Sequence, residues 1–312
     1  MTVEVVALAA GLVSAAVGGE LFVRAAVGIA AWARVPAGVI GATVAAFATS
    51  SPEVSVAIGA AVDGRPEIAL GDGLGSNVVN VGLVLGLALL VGPIAAPRAS
   101  TRRDVPFAVV LPLATIVIAL DGMLSRLDAV FLLGGFGLWL VLTTAAARRD
   151  RSAVVTVLAE RSHLRSIAEI LAGLAFLVAA GRFIVFGAKG VGLELGLDTF
   201  VIGATFVAIG TSTPELATTL VARIRGHSEI GLGTVVGSNI YNGGFVISLA
   251  ALIHPIAFSF REVGAAIGFG LALVALLLNA RGVLGRRLGV LFLAIYACYV
   301  AALVAVGPAG HS

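Results

Sequence analysis

Apolar stretches recur from one end of the chain to the other, separated by short clusters of polar, proline and glycine residues. A helix of about 20 apolar residues is long enough to cross a hydrocarbon core about 30 Å thick. We therefore predict an all-α polytopic membrane protein with ten transmembrane helices in the lipid bilayer. The predicted spans are 4–31, 38–61, 68–93, 105–121, 126–147, 166–190, 199–222, 230–253, 261–280 and 286–306.

The composition agrees with this prediction, because 59% of the 312 residues are hydrophobic and only 12% are charged. Such a chain has too little polar surface for a water-soluble domain. The net charge of +3 does not indicate nucleic acid, since the arginines lie between apolar stretches and form no patch with interleaved aromatic residues. Cys298 is the only cysteine, which excludes disulfides within the chain and cysteine metal sites. The first stretch has no basic leader and is expected to remain as the first helix.

Arginines concentrate in alternate loops, and these loops are expected to lie in the cytoplasm, because short loops rich in Lys and Arg stay there. The loops of this side contain Arg34, Arg98, Arg102, Arg103, Arg148, Arg149, Arg151, Arg161, Arg165, Arg223, Arg225, Arg281, Arg286 and Arg287. The other loops contain little beyond Arg65, Arg126, Lys189 and Arg261. We therefore predict a plasma-membrane protein with both termini outside. A basic cytoplasmic linker, 148–165, then joins an N-terminal half, 1–147, to a C-terminal half, 166–312.

A long segment of the chain occurs twice. The phrase "GATVAAFATSSPE" at 41–53 returns as "GATFVAIGTSTPE" at 203–215, within a first repeat of about 41–80 that aligns without a gap on a second repeat of about 203–242. The offset is 162 residues, the separation of Glu53 and Glu215. Five predicted spans separate equivalent positions, and an odd number places the two copies in opposite orientations. We therefore predict two inverted five-helix repeats, an arrangement that in many secondary transporters places the substrate at the repeat interface near the midplane.

Each repeat contains a glutamate near the middle of an apolar span. An unpaired charge is costly there, so Glu53 and Glu215 require partners. Pro52 and Pro214 precede them, and proline removes a helical donor and obstructs the carbonyl group four residues earlier. We expect broken helices at the midplane, with carbonyl oxygens such as those of Thr49 and Thr211 facing a cavity.

A second polar cluster follows in each repeat, "GLGSNVVN" at 73–80 and "VVGSNIYN" at 235–242. The spacing of four residues between Ser76 and Asn80 places both on one helix face. Carboxylate, hydroxyl, amide and carbonyl oxygens without histidine or thiolate are typical of a hard-cation site, for which calcium, sodium and potassium are candidates. The alternative is structural, because Ser, Thr and Asn also bond across closely packed membrane helices.

The phrases "ATSSPE" with "GLGSNVVN", and "GTSTPE" with "VVGSNIYN", resemble the two α-repeats of the sodium/calcium exchanger family, prokaryotic type, in the calcium/cation antiporter superfamily. The resemblance implies a secondary-active antiporter that exchanges Ca²⁺ for Na⁺ by alternating access, with neither an enzymatic activity nor a cofactor. It also implies that the first and sixth spans slide across the core as gates. The ligands that it implies are Glu53 and Glu215 for calcium, with Thr49, Ser50, Thr211, Ser212, Ser76, Ser238, Asn80 and Asn242 completing the calcium and sodium sites.

The chain departs from the family pattern in three respects. Ala48 stands where the family, like Gly210 in the second repeat, usually has glycine. Asp72 and Thr234 replace an asparagine usual in the family, and Asp72 adds a carboxylate near the site. Asn242 is an amide where some prokaryotic relatives carry aspartate. Two acidic ligands are therefore assigned, and the ion stoichiometry stays open.

Other functions remain open from the residues alone. A proton- or potassium-coupled calcium/cation exchanger fits the same scaffold, and a passive cation channel is a third candidate, although channels usually build their filter from several subunits or a pore loop. The oligomeric state is open as well. Glu20 and Arg24 are spaced for a local ion pair, with a contact between Glu20 and Arg182 as the alternative. Arg225 is interpreted as a loop charge.

Overall fold

The computed structural model describes residues 2–33, 36–149, 163–194, 203–279 and 282–306. Most of the predicted linker, 150–162, lies outside the described residues, as do Arg34, the start of the seventh predicted span at 199–202 and the tail at 307–312. The described chain is almost entirely helical, and the helices follow the apolar stretches of the sequence.

The first half consists of α1 (Thr2–Ala33), α2 (Ala37–Ile40), the π-helical turn π1 (Gly41–Ala45), α3 (Ala46–Thr49), α4 (Ser51–Val62), α5 (Pro66–Val78), π2 (Val79–Leu85), α6 (Gly86–Val91), α7 (Arg98–Ile118) and α8 (Arg126–Arg149). The second half consists of α9 (His163–Glu194), π3 (Gly203–Val207), α10 (Ala208–Thr211), α11 (Thr213–Ile224), α12 (Ser228–Tyr241), π4 (Asn242–Val246), α13 (Ile247–Ile253), α14 (Phe260–Asn279) and α15 (Arg286–Val306).

The two repeats have the same local structure. The pairs π1 and π3, α4 and α11, and α5 and α12 begin at the offset of 162 residues that the sequence shows. π-Helical turns are rare and occur frequently at functional sites, so their presence in both repeats marks these segments. The loops of the two halves also pair with each other in two short antiparallel ribbons. In these ribbons β1 (Ile94–Ala96) pairs with β4 (Gly282–Leu284), and β2 (Met123–Leu124) pairs with β3 (Ile256–Ala257).

Glycines let the repeats pack on each other through their backbones. A Cβ atom at Gly75 in α5 would lie 2.6 Å from the backbone of Ala204 in π3, and one at Gly237 in α12 would lie 2.3 Å from the carbonyl oxygen of Ala42 in π1. Both glycines and both alanines are equivalent at the offset of 162 residues. Each repeat therefore inserts its second helix against the π-helical turn of the other, a contact that only glycine permits.

Several helices are suited to a bilayer. Among the described residues, five spans are long and apolar enough to cross a membrane: 9–26, 66–91, 126–147, 228–253 and 286–303. A sixth is counted if 38–49 and 51–62, which meet at a bend of 40°, form one span. Helix α7 does not qualify, because Arg98, Arg102, Arg103 and Asp104 occupy its beginning. The chain is thus a helical polytopic membrane protein, and the number of ten spans stays a prediction.

The burial of these spans separates a core from a periphery. Spans 66–91 and 228–253 are each 78% buried, whereas 126–147 and 286–303 are only 28% and 22% buried. The exposed side chains of the peripheral helices include Phe131, Leu138 and Val290, which suit contact with lipid. The polar clusters of the two repeats therefore lie in the helices that are farthest from lipid.

Candidate functional site

The helices break at equivalent points of the two repeats. α3 and α4 meet at Ser50, with φ −81° and ψ 8°, and α10 and α11 meet at Ser212, with φ −78° and ψ 5°. Pro52 and Pro214 follow, and because proline has no N–H, the helical hydrogen-bond ladder is interrupted there. The described backbone bonds that bridge the first break end on the carbonyl oxygens of Ala46 and Ser50, and none of them ends on Thr49.

Glu53 and Glu215 lie in the first turn of the helices that start at these breaks, and both are fully buried. The free N–H groups at a helix N-terminus favour a negative charge nearby. The structure therefore places both predicted carboxylates where the backbone stabilises their charged form, in the interior of the protein.

Hydroxyl groups from both repeats surround Glu215. Its Oε1 atom accepts hydrogen bonds from Ser238 at 2.9 Å and from Ser50 at 3.3 Å, and the two hydroxyl oxygens are 3.1 Å apart. Ser50 belongs to the first repeat and the other two residues to the second. The broken helix of one repeat thus completes the polar cluster of the other.

A second cluster of hydroxyl groups forms around Asp72. Its Oδ1 atom accepts a hydrogen bond from Thr211 at 2.9 Å and a longer one from Ser76 at 3.4 Å, and the two hydroxyl oxygens are 3.3 Å apart. Asp72 and Ser76 lie in α5, whereas Thr211 ends the broken helix of the second repeat. The two breaks are therefore joined to the opposite repeat by the same kind of contact.

Asparagines extend the clusters around Glu215 and Asp72, and we call the whole set of buried polar side chains the polar layer. Asn80 Nδ2 donates to Asn239 Oδ1 at 3.0 Å, and Asn239 Nδ2 donates to the carbonyl oxygen of Asn77 at 3.1 Å. A cavity of about 10 Å³ beside Asn77 and Asn239 has room for about one water molecule. Asn77 and Asn239 recur at the offset of the repeats, and this recurrence was the signal in the sequence that they belong to the site.

Many polar atoms of this layer are buried without a protein partner. They are both carboxylate oxygens of Glu53, Oε2 of Glu215, Oδ2 of Asp72, Oγ of Ser212, Oδ1 of Asn80, and the amide atoms of Asn77 and Asn242. Buried polar atoms normally have partners, so an unpaired set of oxygen atoms fits the binding of dehydrated cations. In the part of the chain that the structure describes, no three His, Cys, Asp or Glu side chains form a metal cluster on their own, so hydroxyl and amide oxygens must contribute.

No basic side chain of the described ranges forms an ion pair with Glu53, Asp72 or Glu215. The three carboxylates lie close enough to repel one another when they are ionised. A buried charge without a partner costs several kcal/mol. The layer is therefore suited to bind positive charge that comes from outside the protein, either as metal cations or as protons.

All ten predicted ligand residues are at most 1% exposed. The structure brings Ser50, Ser238 and Glu215 together, and Ser76 with Thr211. Thr49 donates to the carbonyl oxygen of Ala45 at 3.0 Å within its own helix and also lies beside Glu215. The role of these residues as ligands stays a prediction.

The charged residues of α1 make one predicted and one unexpected contact. Arg24 and Glu20 form the predicted local ion pair, with Nη2 and Oε1 2.5 Å apart. Arg225, which we interpret as a loop charge, lies at the end of α11 and is exposed, but its Nη2 and Nε also donate to Glu20 Oε1 and Oε2 at 2.7 and 3.0 Å, a contact that the sequence did not predict. The aligned segments 41–80 and 203–242 did not reveal this contact, because it joins α1, which lies outside both segments, to the end of α11.

A family model described as sodium/calcium exchanger protein matches residues 3–145 and 165–305. Among the relatives, an uncharacterized membrane protein of Methanocaldococcus jannaschii is 32% identical over 296 residues, which cover 94% of this chain and 95% of the relative. The sodium/calcium exchanger MaX1 of Methanosarcina acetivorans is 28% identical over 297 residues, which cover 82% and 85% of the two chains. A solved structure of the sodium-calcium exchanger NCX_Mj, soaked with Na⁺ and Sr²⁺, matches with a TM-score of 0.81 at 31% identity and covers 96% of this chain and 98% of its own.

Proposed function

The chain belongs to the sodium/calcium exchanger family, and we propose that it exchanges calcium for sodium across the membrane by alternating access at the polar layer between the two repeats. The observation that carries the proposal is the pair of fully buried glutamates, Glu53 and Glu215, at two equivalent helix breaks without a basic partner. Two carboxylates balance one calcium ion or two sodium ions. The same site can therefore bind either cargo in turn.

In the proposed binding mode, Glu53 and Glu215 bind calcium, and the remaining oxygens divide between calcium and sodium. Ser50 and Ser238 hold Glu215 from the two repeats, so a movement of one repeat against the other changes the ligand set. Ser212 and Asn242 contribute oxygens that have no protein partner. Thr49, Thr211, Ser76 and Asn80 complete the set.

The proposed architecture consists of ten transmembrane helices in two inverted five-helix repeats, 1–147 and 166–312, with broken helices at the midplane. The first and sixth helices, α1 and α9, are the gates. Their backbones approach closely at two glycines. A Cβ atom added at Gly18 would lie 2.9 Å from the carbonyl oxygen of Gly173, and one added at Gly173 would lie 2.8 Å from the backbone nitrogen of Phe22. Such close backbone packing favours movement of α1 and α9 as one unit.

The arginine distribution supports a plasma-membrane orientation with both termini outside and a cytoplasmic linker at 148–165.

Sodium is the proposed driving ion because hydroxyl groups lie beside the breaks of both repeats, and protonation of the glutamates alone would not require them. We expect sodium-loaded proteoliposomes, held at equal pH on both sides with a proton ionophore, to take up calcium on dilution into sodium-free medium. Potassium-loaded vesicles are the control and should take up little.

Other outcomes of this experiment identify the alternatives. Uptake that a pH gradient drives and a sodium gradient does not would establish a proton-coupled exchanger. Uptake that requires potassium together with sodium would establish a potassium-coupled one. Calcium entry into vesicles without any opposing cation would indicate a channel.

A further inference from the structure

We propose that Asp72 is a third carboxylate ligand of the site and binds a sodium ion through its Oδ2 atom, together with the hydroxyl groups of Thr211 and Ser76. This inference rests on the proposed sodium/calcium exchange.

The contacts of Asp72 are those of a ligand rather than of a structural carboxylate. Its side chain is fully buried, and Oδ1 is fixed by Thr211 and Ser76, while Oδ2 has no partner. Asp104, the other fully buried aspartate among the residues that the structure describes, shows the contrast: its oxygens accept bonds from Arg103 at 2.7 and 2.8 Å and from Trp139 at 3.0 Å. Asp104 is neutralised by the protein, whereas Asp72 is oriented and left with one free oxygen.

The position of Asp72 aligns it with other site residues. Asp72, Ser76 and Asn80 follow one another at intervals of four residues and therefore lie on one side of the helix. The equivalent residue of the second repeat is Thr234, whose hydroxyl donates to the carbonyl oxygen of Ile230 at 2.9 Å within its own helix. The third carboxylate is thus present in one repeat only. In the second repeat, the residue at the start of π4 is the neutral Asn242.

The charge of Asp72 selects the class of ion. Glu53 and Glu215 already match the two charges of calcium. One further carboxylate adds one negative charge, which a monovalent cation balances. Hydroxyl oxygens beside that carboxylate supply neutral ligands for a dehydrated sodium ion.

The test compares Asp72→Asn with Thr234→Val in the full-length protein in proteoliposomes. We expect Asp72→Asn to raise the half-saturating sodium concentration about tenfold or more and to reduce the Hill coefficient for sodium, because the number of charged ligands sets cation affinity. Calcium–calcium exchange should change less than about threefold, since its two carboxylates remain. Thr234→Val, which is equally buried and removes no charge, should leave the sodium dependence unchanged.

Calcium–calcium exchange also shows that the variant is folded. The double variant Asp72→Asn/Asn242→Asp returns a third carboxylate to the layer and should recover part of the sodium affinity. An active Asp72→Asn protein with an unchanged sodium dependence, or with a change in pH dependence only, would overturn the assignment. Failure of the wild-type protein to couple calcium uptake to sodium would instead refute the proposed function, so the two results are distinct.

A second inference concerns the contact of α1 with Arg225. The offset of 162 residues maps Glu20 onto Arg182 and Arg225 onto Asp63. The equivalent pair therefore also consists of one acidic and one basic residue, but the basic residue now lies on the long helix and the acidic residue lies near the loop. The pair of Glu20 and Arg225 is formed in the structure. Arg182 and Asp63 are both exposed, and the described part of the chain shows no ion pair between them.

We infer that the two pairs form alternately as latches: one holds α1 in this conformation, and the other holds α9 in the conformation that faces the opposite side. Inverted repeats support this, because exchanging the conformations of the two repeats converts one facing state into the other. Movement of α1 and α9 together then separates Glu20 from Arg225 and brings Arg182 to Asp63.

Charge reversals on the two sides test the latches. Arg225→Glu and Asp63→Arg should shift the half-saturating calcium concentration on a given side of the membrane in opposite directions, each by about twofold to fivefold for pairs of this exposure. Arg65→Glu, in the same loop as Asp63, is the control and should produce no shift. The exchanged pair Arg182→Asp/Asp63→Arg should restore the wild-type value. Shifts in the same direction, or no shift in either variant, would refute the alternation.

Discussion

We expect Glu53→Gln and Glu215→Gln each to reduce calcium transport about a hundredfold or more, because each removes half of the fixed charge that faces a divalent ion in a buried site. Glutamine preserves the volume and one oxygen atom of the side chain. The loss is measured as radioactive calcium uptake into sodium-loaded proteoliposomes. Both variants should remain folded, since the described residues give neither carboxylate a basic partner to lose.

The matched control is Glu67→Gln. Glu67 recurs as Glu229 at the same offset, but it lies in the first turn of α5 beside a loop and is only half-buried. Its replacement should leave uptake within about twofold of the wild-type rate, as expected for a solvated charge. Near-normal calcium exchange by either Glu53→Gln or Glu215→Gln would show that the central site lies elsewhere.

A large loss of stability is expected from Gly237→Ala. The added methyl group would lie 2.3 Å from the carbonyl oxygen of Ala42, and backbone atoms cannot withdraw as a flexible side chain does. Overpacking of this kind costs about 1–3 kcal/mol and occasionally more. The melting temperature of the purified protein in detergent should fall clearly, and calcium transport should fall with it.

Gly134→Ala is the control for this variant. Gly134 lies in the peripheral helix α8, and a Cβ atom there would have no neighbour within 4 Å. Alanine also forms helices better than glycine, so this variant should melt at or slightly above the wild-type temperature. Equal stability of Gly237→Ala and the wild-type protein would mean that α12 and π1 do not pack as closely as the structure has them.

The sequence predicted the family and the repeated elements because their signals are local. The family is confirmed by the match over both halves. Pro52 and Pro214 specify the helix breaks directly, since proline removes a backbone donor wherever it stands. Burial of Glu53 and Glu215 followed from their place inside apolar runs. Each of these inferences needs only a short segment and its copy.

Contacts between the repeats could not be predicted in this way. The bonds of Ser50 with Glu215 and of Thr211 with Asp72 join residues more than a hundred positions apart, and the pattern of either repeat alone does not indicate which helix it meets. The π-helical turns also gave no signal, because one extra residue in a turn leaves the apolar character of the segment unchanged. Arg225 illustrates the same limit, since its partner Glu20 lies outside the aligned segments 41–80 and 203–242.

The absence of a basic partner for Glu53 and Glu215 in the described ranges also bears on the coupling of the two fluxes. A protein that changed its facing state with ionised carboxylates and no cation would have to carry uncompensated negative charge through its apolar interior, at a cost of several kcal/mol. That penalty makes the unloaded return step slow, whereas loading with either cargo removes it. We therefore expect this electrostatic penalty to act against leakage, in addition to the proposed latches. A fixed positive charge placed beside Glu53 would remove this restraint and turn an obligatory exchange into a slippage pathway.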